Sequence, residues 1–304
     1  MGTAGDLERW VEAGLIDRKT AGAIQTYESQ RSGSASIGRG MEAIAYLGAV
    51  LVLIALGVLA AEFWDRLVPW GRFALGLAVT LILLLVGLVF ARAEEPAVER
   101  AQMFAWFLTV PAAALTAYVV VGELADADDP DTFVWVSLIS LAAAFALWWM
   151  RHSALQTIAM GAASGVSVVA LVSLSDSPPD WAYGLSLAGL GMVWLLLTWG
   201  GLLRPARTSY VVAAVGMLCV GLPDASEPPW PFLGLAAGLA LMALSVPLNH
   251  AVLLGMGVAG LFVYIPITVF EVFGETLGVP VALLITGLIL LGVVVVTARL
   301  RKRS

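Results

Sequence analysis

Apolar residues in this chain come as long unbroken runs, not as stripes on amphipathic elements. Gly71–Ala91 reads GRFALGLAVTLILLLVGLVFA and carries no charge between Arg72 and Arg92. At a helical rise of about 1.5 Å per residue, such a run crosses the roughly 30 Å hydrocarbon core of a bilayer. Similar runs recur and predict ten membrane-spanning helices, near 42–62, 71–91, 101–122, 132–150, 154–174, 181–200, 208–223, 230–247, 249–270 and 279–298. The run at 208–223 is the shortest, limited by Pro223 and the loop PDASEPP. Pro247 and the link Leu248–Asn249–His250 separate the eighth and ninth runs; reading those two as one helix gives nine spans as the rival count. The fold class expected is all-α, a polytopic helical membrane bundle.

A polar head precedes the runs. AGDLERWVEAG predicts one helix that Asp6 starts and Gly14 ends, with Leu7, Trp10, Val11 and Leu15 near one face. Asp17 is placed to cap a second helix, RKTAGAIQTYE, with Ala21, Ile24 and Tyr27 or Glu28 at helical spacing. Helices this short are marginal alone. Leu7, Trp10 and Ile24 therefore form a candidate docking face, for each other, for the membrane or for a protein partner. Ser32–Ser36 reads as a flexible joint. The domains expected are a cytoplasmic helical hairpin with its joint at 1–36, the bundle at 37–298 and a basic tail at 299–304. A nucleic-acid partner is not expected, because the head balances acids and bases and lacks a surface for phosphate contacts.

Composition agrees with the membrane class: of 304 residues, 60% are hydrophobic and 12% charged, and mean hydropathy is +0.93. Charge adds an orientation. The head, the 92–100 loop, Arg151–Ser153, the 201–207 loop and the tail hold 14 of the 16 basic residues; only Arg66 and Arg72 fall on the other side. The opposite turns are acidic: Glu123, Asp126, Asp128, Asp129 and Asp131, then Asp176 and Asp180, then Asp224 and Glu227. By the positive-inside rule both termini are cytoplasmic, which requires an even number of spans and favours ten over nine. The first 40 residues lack an apolar leader, so the first span is expected to act as the targeting signal. Usage of alanine and arginine over lysine points to a bacterial genome, hence to the cytoplasmic (inner) membrane.

Chemistry is sparse. The chain carries no GxxxxGK[ST] loop, HExxH, CxxC or G-x-S-x-G elbow, so no catalytic set, cofactor or metal is expected. Its one cysteine, Cys219, reads as a small apolar group. His152 and His250 sit at separate turns. Charge near the spans is confined to their ends: Glu62, with Asp65 and Arg66 beyond it, and Glu271. These acids read either as wetted helix ends, with Asp65 paired to Arg66 or Arg72, or as an outer vestibule of Glu62, Asp65 and Glu271, complemented by Tyr46, Tyr118, Tyr210, Tyr264 and Thr268. Glycines at packing spacing occur at Gly161/Gly165, Gly184/Gly189/Gly191, Gly234/Gly238 and Gly255/Gly257/Gly260. Helical hairpins are expected to begin near 101, 154, 208 and 249, by duplication or simply by short loops. Tryptophans near helix ends, Trp148 among them, read as an interfacial belt.

LERWVEAGLIDRKTAGAI, from Leu7 to Ile24, has the form LxxWxxxGLIxxxxAxxI, and GAVLVLIALGV runs from Gly48 to Val58 ahead of Ala60-Ala61-Glu62-Phe63-Trp64-Asp65. In these residues the chain resembles the bacterial DUF2157 membrane proteins over roughly its first 90 residues, with Phe63 where that pattern has asparagine. The resemblance implies class and topology, with no substrate, cofactor or catalytic residue attached. Three functions stay open: a transporter or permease for a small molecule or lipid; a non-catalytic membrane scaffold whose head docks a partner; and an intramembrane or lipid-modifying enzyme. The partners expected are membrane lipids and a protein on the head.

Overall fold

A computed structural model describes residues 3–27, 51, 57–58, 62–92, 96–221, 229–277, 281, 284, 287–288 and 292. The chain divides into two compact units, Met1–Leu67 and Val68–Ser304.

In the first unit, α1 spans Thr3–Glu12. It ends as Gly14 predicts. Gly14 has φ +68°, its N–H donates to Val11 O (3.0 Å), and the N–H of Leu15 reaches back to Trp10 O (2.9 Å). This 6→1 and 5→2 pair closes a helix through a left-handed residue, which glycine adopts without a Cβ clash. Residues 18–27 form α2. Asp17 caps it, its Oδ1 accepting from the Thr20 N–H at 2.9 Å. Residues 62–64 are helical and run into a turn, where the Arg66 guanidinium lies 5.2 Å from the centre of the Phe63 ring.

The second unit is all-helical. Its elements are α3 (Pro69–Phe90), α4 (Pro96–Tyr118) continued by a π-helical turn (Val119–Leu124), α5 (Asp129–Met150), α6 (Ala154–Val172), α7 (Asp180–Trp199), α8 (Ala206–Leu218) with a 3-10 turn (Cys219–Gly221), α9 (Trp230–Leu248) and α10 (Ala251–Leu277). Among the described residues seven helices are long and apolar enough to cross a membrane, not ten. Helix α8 with its 3-10 turn, Ala206–Gly221, is too short to count among them. The runs at 42–62 and 279–298 lie almost wholly outside the described residues. The eighth and ninth runs are two helices. Asn249 takes a left-handed φ of +52° and His250 N–H closes α9 onto Ser245 O, so the chain reverses there.

Neighbouring helices pair most extensively as α9 with α10, α3 with α4, α7 with α8 and α5 with α6. The tight pairs are thus offset by one helix from the hairpins that the sequence spacing predicts. Three of them form across the short links at 151–153, 200–205 and 249–250 rather than across the acidic turns. Small residues explain two of them. A Cβ on Gly191 of α7 would stand 2.5 Å from Met217 N of α8. A Cβ on Gly257 of α10 would stand 2.6 Å from Gly238 O of α9. In lipid, close backbone approach takes over the part that hydrophobic burial plays in water. Gly189 and Gly255, grouped with these by spacing, face nothing within 4 Å.

The core lies where α4 to α10 meet, around Trp106, Trp148, Trp194, Tyr210, Leu241 and Leu253. Trp148 therefore leaves the expected interfacial belt. It is 5% exposed, and its Nε1–H donates to Arg204 O at 3.1 Å. Trp70, Trp135, Trp149 and Trp199 are exposed near helix ends, as a belt requires.

Candidate functional site

The two ends of the second unit carry different polar chemistry. At the end holding the links 151–153 and 200–205, Arg151 donates to Gln102 and to Glu99. Buried Gln156 donates from Nε2 to Met103 O at 3.0 Å, and its side chain meets the Ser153 hydroxyl. Thr157 Oγ1 donates to Ser153 O at 2.9 Å and approaches Arg204 O at 3.3 Å. This network ties α4, α5, α6 and the 204 link together. It brings three of the basic loops to one end, the grouping on which the orientation argument depends. His152 packs on Trp148 with ring centres 4.5 Å apart, and His250 on Tyr210 at 4.4 Å. Among the described residues no three potential ligands gather to hold a metal.

At the opposite end stands an ion pair that the sequence does not announce. Arg72, one turn into α3, donates from Nη1 to Glu123 Oε1 in the π-helical turn at 2.9 Å, and the two side chains are only 19% and 17% exposed. Glu123 Oε2 is covered and has no hydrogen-bond partner among the described residues. Arg72 is thus paired with Glu123. From this pair a polar track runs inward along the α3–α4 seam. Gly76, one turn on, lies so close to α4 that a Cβ would meet Thr116 Oγ1 at 2.9 Å. Thr80, one turn further, shares a hydrogen bond with Thr116 across 3.2 Å. Each hydroxyl also meets a carbonyl of its own helix, Gly76 O at 2.8 Å and Ala112 O at 2.9 Å. Thr80 sits midway between Pro69 and Phe90. Below it the seam becomes apolar: Trp106 lies over Gly87, where a Cβ would stand 2.1 Å from the ring. Arg72, Gly76 and Thr80 follow one another at intervals of four. That polar stripe on an otherwise aliphatic helix was the available signal.

The residues singled out from sequence fare differently. Glu62 and Asp65 are exposed residues of the first unit. Glu271 lies on α10 in the second unit, with its side chain outside the described residues. The three acids are thus divided between the two units. Of the tyrosines meant to complement them, Tyr46 lies outside the described residues and Tyr118 is exposed. Tyr210 is buried against His250. Tyr264 is buried between Gly221 and Gly234, with its hydroxyl on Leu218 O and its own carbonyl accepting from Thr268 at 2.8 Å.

On the head, Leu7 is buried and Ile24 half-buried, whereas Trp10 is 46% exposed. Leu15 and Tyr27 are exposed beside them in the sequence. The Asp17 carboxyl is held below its usual range by the hydrogen bonds from Thr20. After this head and the turn at 65–68 the chain continues into the apolar α3 and α4. Residues 8–150 match the DUF2157 family. Its description is "Predicted membrane protein". The DUF2157 match covers a little under half of the chain and runs to the end of α5, well beyond the first 90 residues. Both partners of the Arg72–Glu123 pair and both threonines therefore lie inside the DUF2157 segment. No curated protein and no solved structure matches the chain significantly.

Proposed function

We propose that this membrane protein is a permease-like carrier for a small molecule or lipid, with the α3–α4 seam as its working part. One observation carries the reading: a largely covered Arg72–Glu123 pair, one carboxylate oxygen without a hydrogen-bond partner among the described residues, above a hydroxyl pair at the middle of α3. Both groups lie at the ends of span-length helices yet are largely covered there, and a covered ionisable group in such a helix is a pointer to a substrate or ion path. The π-helical turn that holds Glu123 is the kind of local widening that recurs at functional sites. The full topology in this reading is ten spans, with 42–62, 208–223 and 279–298 completing the seven long helices. Both termini face the cytoplasm of a bacterial inner membrane, as the basic residues argue.

The test is reconstitution of the full chain in liposomes. Entry of a panel of neutral, zwitterionic and charged osmolytes is followed by swelling, and exchange of a headgroup-labelled lipid between leaflets by chemical quenching. At least one solute or lipid is expected to move faster with the protein present, and to slow with Arg72→Gln or Glu123→Gln. No movement above empty liposomes overturns the carrier reading. The rival is a scaffold whose head docks a protein partner, favoured by the exposure of Trp10, Leu15 and Tyr27 on so small an element.

A further inference from the structure

The link from α7 to α8 is fixed from the inside and charged on the outside. Gly201 closes α7 with φ +75°. Its N–H donates to Thr198 O and the N–H of Leu202 to Leu197 O, each at 3.0 Å, the left-handed stop that glycine makes without a Cβ clash. Leu203 then turns into the core. Arg204 O accepts from Trp148 Nε1 at 3.1 Å and lies 3.3 Å from Thr157 Oγ1. With that carbonyl held inside, the side chains of Leu202 and Arg204 are left exposed. Arg207, in the first turn of α8, is exposed as well.

Neither guanidinium has a hydrogen bond or ion pair among the described residues. Residues 200–209 include no acid, and Glu99 in the adjoining network is already paired with Arg151. Two positive charges therefore stand without a counter-charge from the protein. Their depth decides what can supply one. Helix α7 is long and apolar enough to cross a bilayer, so its end and the link lie at headgroup level. Trp199 and Leu202, 68% and 67% exposed, flank Arg204 in the sequence. A tryptophan so placed seats itself in the interface. The arginines are thus presented to lipid phosphates, which a guanidinium can hold through two parallel hydrogen bonds. A headgroup that also ends in an ammonium brings a like charge toward them, whereas an anionic headgroup does not.

We propose that the α7–α8 link is a docking surface for an anionic phospholipid, with the headgroup phosphate on Arg204 and Arg207 and with Trp199 and Leu202 seated in the interface beside it. This surface lies at the opposite end of the unit from the Arg72–Glu123 pair, and the proposal stands apart from the carrier reading.

The test is lipid binding to the full chain in detergent, titrated by native mass spectrometry with dioctanoyl-phosphatidylglycerol and dioctanoyl-phosphatidylcholine. Phosphatidylglycerol is expected to bind about thirtyfold tighter, at about fivefold for each arginine. Arg204→Gln and Arg207→Gln should each remove about fivefold of that preference, and the double substitution should bring the two lipids within about twofold. Arg66→Gln removes one charge from an exposed position in the first unit and should leave the preference unchanged. Gel filtration reports that each variant is folded, and the single substitutions carry the test if the double one is not. Equal binding of the two lipids by the unaltered protein, a preference that survives the arginine substitutions, or an equal loss with Arg66→Gln overturns the proposal. Displacement of phosphatidylglycerol by an equal concentration of inorganic phosphate also overturns it, in favour of a site for a free anion.

Discussion

Gly257 of α10 meets Gly238 of α9 backbone to backbone: a Cβ on Gly257 would stand 2.6 Å from both Gly238 O and Met242 Cγ, and 2.9 Å from Met242 N. Two of those three atoms belong to the main chain, so the contact has little room to give. Gly257→Val should lower stability by about 1–3 kcal/mol, the usual cost of overpacking. Gly255→Ala, two residues away and facing nothing within 4 Å, should stay within about 0.5 kcal/mol. Thermal unfolding in detergent, followed by the loss of the gel-filtration peak, separates the two. Equal behaviour would mean that α9 and α10 are not apposed through these glycines.

The network at Arg151 offers a comparison between an exposed charge and a buried amide. Glu99 and Arg151 keep 45% and 32% of their side-chain surface, so solvent screens the pair and Glu99→Gln should cost under about 1 kcal/mol. Gln156 is 1% exposed and links α6 to Met103 O of α4. Gln156→Leu leaves that carbonyl without this donor and should cost about 1–3 kcal/mol despite adding apolar volume. The same unfolding measurement should rank Gln156→Leu well below Glu99→Gln in stability.

The Asp17 cap makes α2 sensitive to acid. Its carboxyl is lowered in the folded head by the Thr20 hydrogen bonds. A lowered folded value contributes stability that is present above the unfolded value, about 3.9, and is lost as pH falls through the folded value. Protection of the Thr20 amide from hydrogen exchange, taken relative to Asp17→Asn, should therefore decline as the pH drops below about 4. Asp17→Asn keeps a capping oxygen and should show no such step. A flat ratio between the two proteins would remove the carboxylate from the cap.

Orientation is tested from outside the cell. In a Cys219→Ser background, single cysteines at Asp128 and Asp176 should react with an impermeant thiol reagent, and cysteines at Ala97 and Arg303 should not. Labelling at Arg303 would reject the even number of spans.

The chain itself determined whatever is settled within one helix or its two ends. A long apolar run must become a helix in lipid, because every N–H and C=O has to be paired inside the segment. That rule holds whichever neighbour the helix has, and runs such as 71–91 and 132–150 are helices close to the predicted bounds. The Gly14 stop and the Asp17 cap were equally legible, since each bond spans only three to five residues. Tertiary structure decided the rest. Helix α3 is aliphatic over most of its circumference, and lipid tails are as apolar as leucine, so hydrophobicity does not say which face meets α4. Steric fit says it, through Gly76 under Thr116 and Gly87 under Trp106, and that fit turns Arg72 toward Glu123. The same reason separates Gly257 from Gly255, buries Trp148 beneath the 204 link and shifts the hairpin pairing by one helix. Side-chain rotation about a helix axis and the choice of neighbour are long-range properties, and in a membrane only close packing and scarce polar contacts encode them.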